Sequence, residues 1–108
     1  MRKLLFVCSQ NLLRSPTAER IFTGREGLEV RSAGTSDDAT HPLTEDLVEW
    51  ADMIVVMERH HRNRLLRKFG SCARAKRIVV LEIPDEYEFM DETLIQLLKA
   101  KMARHLPV

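Results

Sequence analysis

Four short apolar runs constrain this chain more than any other feature. Leu4–Val7, Glu29–Ala33, Met53–Met57 and Ile78–Leu81 each read as a buried strand. Their Val, Ile and Leu content runs nearly unbroken, as in strands covered on both faces of a parallel sheet. Helical patterns separate them. Ala18, Ile21 and Phe22 share a face of a helix starting near Ser15, with Pro16 in its first turn and Gly24 as its stop. Thr44 is placed to cap a short helix with Leu47, Trp50 and Ala51 inward, and Glu45 and Asp46 in its first turn. Leu65, Leu66 and Phe69 face one way in a third helix ending at Gly70, and Leu94, Leu97, Leu98 and Met102 line a fourth. Strand–helix alternation throughout predicts an α/β fold with a parallel sheet; the form expected is three layers around four strands in the order 2-1-3-4, flavodoxin-like.

That architecture says where to look for chemistry. Ligands of such sheets bind beyond the carboxyl ends of the strands. The segments that follow the strands are Cys8–Ser15, Ser32–Thr35, Glu58–Arg59 and Glu82–Tyr87. The first carries the strongest signal: Cys8-Ser9-Gln10-Asn11-Leu12-Leu13-Arg14-Ser15-Pro16, a cysteine, five residues, an arginine and a serine, between strand and helix. Successive backbone N–H groups of such a loop make a concave anion site, and the following helix adds its positive end. Residues Ser9, Gln10, Asn11, Leu12, Leu13, Arg14 and Ser15 would then bind phosphate. Arg14 can grip two oxygens with its planar fork. Cys8 sits at the base of the loop. A thiolate is the nucleophile of cysteine chemistry, and these donors all favour it, with the Ser15 hydroxyl placed to donate to the sulfur. Asp85, after the fourth strand, lies on the same edge and has the chemistry of a general acid. Tyr87 can wall the pocket against an aromatic substrate. Asp91 is a rival acid but reads better as the start of the last helix.

Composition adds exclusions. One domain suits 108 residues, and we read residues 1–108 as a single domain. With 17 basic and 16 acidic residues the net charge is +1, which directs the chain to neither nucleic acid nor a membrane. The charge is locally sorted: eight Lys/Arg and no acid from Arg59 to Arg77, then six acids and no base from Glu82 to Glu92. Such runs are ordinary solvated faces or a basic surface beside an anionic partner. Two cysteines, Cys8 and Cys72, make no disulfide framework and fit reduced thiols in a cytoplasmic setting. The opening apolar run ends at Val7 or Cys8, too short for a signal-peptide core, and no segment approaches a membrane span. His60 and His61 invite a metal reading. Adjacent helical residues diverge by about 100°, and the sequence offers them no Glu or His partner at ligand spacing, so no metal site is expected.

These residues resemble the low-molecular-weight protein tyrosine phosphatases. Leu5-Phe6-Val7-Cys8, Asn11, Arg14-Ser15-Pro16 and Ala18-Glu19 match the family's signature loop. Arg31-Ser32-Ala33-Gly34-Thr35, Ala51–Met57 and Ile83-Pro84-Asp85-x-Tyr87 are similar to its later markers. The resemblance implies Cys8 as nucleophile and Arg14 as phosphate binder. Asn11 would hold a strained, left-handed conformation. Ser15 would stabilise the thiolate, and Asp85 would be the acid and later the base. It implies no metal or organic cofactor, and a phosphotyrosine protein or small aryl phosphate as substrate. Members usually run tens of residues longer. The shortening falls mostly between Thr35 and Leu43, where members carry a pocket-wall loop, a helix and a histidine that steadies the loop Asn. Here only Ser36–Pro42 remains, and His41 is either that histidine's replacement or, more commonly at such a position, a plain loop residue. Glu86 stands where proline is usual, and Leu13 where a second loop cysteine is usual. Besides the phosphatase, an arsenate reductase relaying a disulfide through Cys72 and a phosphate-binding module with little turnover stay open.

Overall fold

The structure, a computed structural model, describes residues 2–106. Its strands are β1 (Arg2–Cys8), β2 (Leu28–Gly34), β3 (Met53–Val56) and β4 (Arg77–Val80), all parallel, in the order β2-β1-β3-β4. This is the order expected from the sequence. β1 lies in the middle and pairs on both sides, with Leu5 against Arg31 of β2 and Ile54 of β3. The chain reverses its direction of sheet growth at β1, so the segment leaving Cys8 emerges at the switch point.

Side-chain alternation along the strands feeds two cores. Leu4, Phe6, Cys8, Met53 and Val55 face one side, beneath α1 (Arg14–Phe22) and α4 (Glu92–Met102). Ala18, Phe22, Leu94, Leu98 and Met102 close that layer, with the Phe6 and Phe22 rings stacked 5.6 Å apart. Leu5, Val7, Ile54 and Val56 face the other side, beneath α2 (Glu45–Trp50) and α3 (Arg59–Arg74). Covering a sheet on both faces is what makes its strands nearly continuous in hydrophobicity.

The helices start and stop for local reasons. Thr44 Oγ1 accepts from the Leu47 N–H at 3.2 Å, and Asp91 Oδ1 accepts from Thr93 N–H at 2.8 Å, so both cap as read. Gly70 breaks α3 at φ 51°, ψ −121°, and one further turn then completes the helix to Arg74. Two inward stripes are narrower than the sequence suggests. In α2 the fully buried residue is Val48, with Leu47 and Trp50 half-buried; Trp50 lies under the Arg31 guanidinium, 4.5 Å from its ring centroid. In α3, Leu65 is buried while Leu66 and Phe69 stay half-buried.

Candidate active site

The loop from Cys8 to Arg14 is turned so that its carbonyls face the shortened segment after β2. Thr35 N–H donates to Cys8 O at 2.9 Å, Ser36 N–H to Ser9 O at 3.0 Å and Thr40 N–H to Gln10 O at 3.1 Å. In a trans peptide the next residue's N–H points opposite to the carbonyl. The N–H groups of Ser9, Gln10 and Asn11 therefore point to the other, concave side of the loop. They take no backbone acceptor among the described residues. Such a row of N–H groups is an anion nest, and α1 begins where it ends.

Gly34 makes the close approach possible. A Cβ there would lie 2.5 Å from Ser9 O and 2.5 Å from Ala39 Cβ, so a side chain would push the loop off the sheet edge. Asn11 adopts φ 57°, the left-handed conformation that Asn tolerates better than most residues.

A buried hydrogen-bond network fixes the loop from beneath. Asn11 Nδ2 donates to Ser15 Oγ at 2.9 Å and to Ser32 Oγ at 3.0 Å, which uses both amide hydrogens. Its Oδ1 is left to accept from His41 Nδ1 at 3.0 Å. His41 thus contacts the loop asparagine, although it sits in the shortened segment. Ser32 in turn donates to the Glu19 carboxylate. Ser15 Oγ receives Asn11, so its own hydrogen is free for Cys8 Sγ, 2.9 Å away; Ala33 O is farther, at 3.4 Å. The buried Cys8 sulfur therefore has a hydroxyl within hydrogen-bond distance.

Arg14 is 3% exposed, and a buried cation needs a partner. One of its terminal nitrogens, Nη1, donates to Glu58 Oε1 at 2.5 Å and to the Ile83 carbonyl at 2.7 Å. That accounts for both Nη1 hydrogens and leaves the Nε–Nη2 edge for a bidentate oxyanion. Asp85 Oδ1 lies 3.7 Å from Nε, and its side chain is 64% exposed. The Glu58 carboxyl is drawn up by burial, but the Arg14 hydrogen bond and charge, helped by His60, hold it below the ordinary range. Leu12 and Leu13 stand 58% and 37% exposed on the loop's outer shoulder. Tyr87 is half-buried and packs against the α1–α4 core, so only part of its ring is offered to a pocket.

Glu58 is a site residue that the sequence reading passed over. The available signal was an acid two positions after β3, on the edge that buries an arginine. The histidine pair also looks different. Glu58, His60 and His61 do bring ligand atoms within 4.8 Å of one another, so Glu58 is the acidic partner expected to be missing. The arrangement still suits no ion, because Glu58 Oε1 is taken by Arg14 and both His61 nitrogens are hydrogen-bonded.

Cys72 lies elsewhere. α3 starts at the Cys8 edge and runs back along the sheet, so Cys72 sits near the opposite edge, roughly 15–20 Å down the helix axis. Burial and the acids Glu49 and Glu45 push its thiol up, away from thiolate.

The chain is similar to several known proteins. Residues 3–49 match the family model for low molecular weight phosphotyrosine protein phosphatase. The protein-arginine-phosphatase of Bacillus subtilis (strain 168) is 33% identical over 94 residues, and the match spans 62% of this chain and 63% of that relative's length. A mutant of YwlE from Bacillus subtilis superposes with TM-score 0.74 at 26% identity, covering 97% of this chain and 98% of its own. The tyrosine phosphatase Wzb from Escherichia coli K30, solved in complex with phosphate, gives TM-score 0.74 at 25% identity, covering 95% and 94%.

Proposed function

We propose that the 1–108 domain, similar over residues 3–49 to the low molecular weight phosphotyrosine protein phosphatase family, is a cysteine-dependent phosphomonoesterase acting on phosphoproteins. The observation that carries the reading is the 2.9 Å contact of Ser15 Oγ with Cys8 Sγ, inside a loop whose first three carbonyls all turn outward. A hydroxyl donor on the sulfur favours the thiolate, which is the attacking form.

In this reading the Cys8 thiolate attacks phosphorus while the loop N–H groups and the free edge of Arg14 hold the three equatorial oxygens. Asp85 protonates the leaving oxygen. The cysteinyl phosphate is then hydrolysed by water, with Asp85 taking a proton. Asp85 stands close to Arg14, exposed enough to meet both substrate and water. No step calls on a metal or organic cofactor. An arsenate reductase finds little support, since Cys72 lies at the far edge with its thiol pushed up. Two free thiols suit a cytoplasmic setting. No helix among the described residues is long and apolar enough to cross a membrane.

For the substrate we favour phosphotyrosine. Exposed Leu12 and Leu13 and the half-buried Tyr87 offer apolar surface to an aryl ring. A second reading, phosphoarginine, draws on the exposed acids Glu82, Asp85, Glu86 and Glu88, which suit a cationic guanidinium, and on the name of the Bacillus relative. Comparing kcat/KM on otherwise identical phosphotyrosine and phosphoarginine peptides decides between them. Preference for the aryl ester supports the first reading, and preference for the phosphoramidate replaces it with the second.

A further inference from the structure

The first turn of α3 touches the phosphate loop at both of its ends. Glu58 holds Arg14, the last loop residue. His61, three residues on, holds the first. Its Nε2 lies 2.9 Å from Ser9 Oγ, and its Nδ1 lies 2.9 Å from the Glu58 amide nitrogen. A backbone amide only donates, so Nδ1 is the acceptor. In the neutral ring the proton then sits on Nε2, and Nε2–H donates to Ser9 Oγ. The ring is fully buried. Burial, with His60 and Arg14 opposing a second proton and Glu58 only partly offsetting them, pushes it down to about 3. The tautomer is therefore held throughout the neutral range.

We propose that His61 is a positioning residue of the phosphate loop, fixing Ser9 through Nε2–H so that α3 grips the loop at its start and its end together. The inference rests on the phosphatase reading above. Ser9 follows the nucleophile directly. Its carbonyl is held from the β2 side by Ser36 N–H at 3.0 Å, and its side chain is held from the α3 side by His61. Held on two sides, the residue keeps the peptide joining it to Cys8 in one orientation. That orientation aims the first N–H of the nest. Ser9 itself is not a second nucleophile, because the nitrogen facing it carries a proton and cannot act as its base.

Two near-isosteric replacements separate this role from capping of α3. In His61→Asn, the amide oxygen can stand in for Nδ1 and keep the Glu58 N–H bond, but nothing reaches Ser9. In His61→Gln, the longer amide can place an N–H near the former Nε2. The assays are turnover of para-nitrophenyl phosphate, the dissociation constant of inorganic phosphate by calorimetry, and the melting temperature. We expect His61→Asn to lower kcat and weaken phosphate binding, each by roughly five- to tenfold, the worth of one lost hydrogen bond, with little change in melting temperature. His61→Gln should recover most of both. Ser9→Ala should reproduce the loss, and Ser9→Ala with His61→Asn should be no worse than either alone, since one bond cannot be lost twice. Additive losses, or full phosphate affinity in His61→Asn, overturn the proposal. If wild type binds phosphate without turnover, the phosphatase reading fails, while the affinities still judge His61. If wild type neither turns over nor binds, both fall.

Discussion

Ser15 shows how one side chain's direction is fixed by another's. Its oxygen accepts from Asn11, and its one hydrogen has two acceptors in reach, the Cys8 sulfur at 2.9 Å and the farther Ala33 carbonyl at 3.4 Å. Removing that hydroxyl in Ser15→Ala leaves the Cys8 sulfur one partner short and frees Asn11. Bonds to charged groups are worth about 1.5–3 kcal/mol. Each 1.36 kcal/mol is tenfold. The expected loss in kcat on para-nitrophenyl phosphate is therefore on the order of ten- to a hundredfold, and unchanged turnover would remove Ser15 from this role. Glu58 carries a matching prediction. Glu58→Ala leaves Arg14 buried with the Ile83 carbonyl and only the more distant, exposed Asp85 carboxylate, so phosphate should bind more weakly and the denaturant midpoint should fall. An unaltered phosphate affinity would mean that Arg14 keeps its aim without its counter-charge.

At the scale of elements, the shortened segment between β2 and α2 is the instructive one. Read from the sequence, it had lost the wall, the helix and the histidine of longer members. Folded, it sends three N–H groups to the loop carbonyls and His41 to Asn11. The clamp depends on Gly34. Gly34→Ala places a Cβ against Ser9 O, at an overpacking cost of about 1–3 kcal/mol, so both melting temperature and phosphate affinity should drop. If only the melting temperature moves, the clamp does not shape the nest. The strands and caps were legible because each rests on local pattern: apolar runs, Thr44 and Asp91; Gly70, read as the end of the third helix, only kinks α3, which runs on to Arg74. The loop from Cys8 to Arg14 was legible because one continuous segment holds it. Glu58 and His61 were not legible in those roles. Their partners lie 44 and 52 residues away in sequence, and only the pairing of β1 with β3 brings them together. Their helix instead read as a basic run with a histidine pair.

Over the whole molecule, the site joins β1, β2, β3 and the segment after β4 at one sheet edge, so its integrity should follow global stability. His61 makes this pH-dependent. Its folded value is about 3 against an ordinary 6.5. Between those limits the unfolded chain holds the proton and the folded chain does not, so stability rises with pH. The contribution is complete above about 6.5 and is lost as pH falls toward 3. The lowered Glu58 acts in the same direction at the acid end, its contribution lost as pH falls below its ordinary 4.5. Melting temperature should fall from pH 7 to 4.5, and His61→Gln should flatten that slope. Equal slopes in the two proteins would show that His61 protonates without cost to the fold. The central claim, that Cys8 in its nest is a phosphate-transfer nucleophile, meets its most direct test in para-nitrophenyl phosphate turnover by wild type and Cys8→Ser, with chelator and reductant present, beside calorimetry of inorganic phosphate. The account predicts turnover by wild type, none by Cys8→Ser, and phosphate binding by both. Turnover surviving in Cys8→Ser, or a wild type that binds phosphate and turns nothing over, would contradict it.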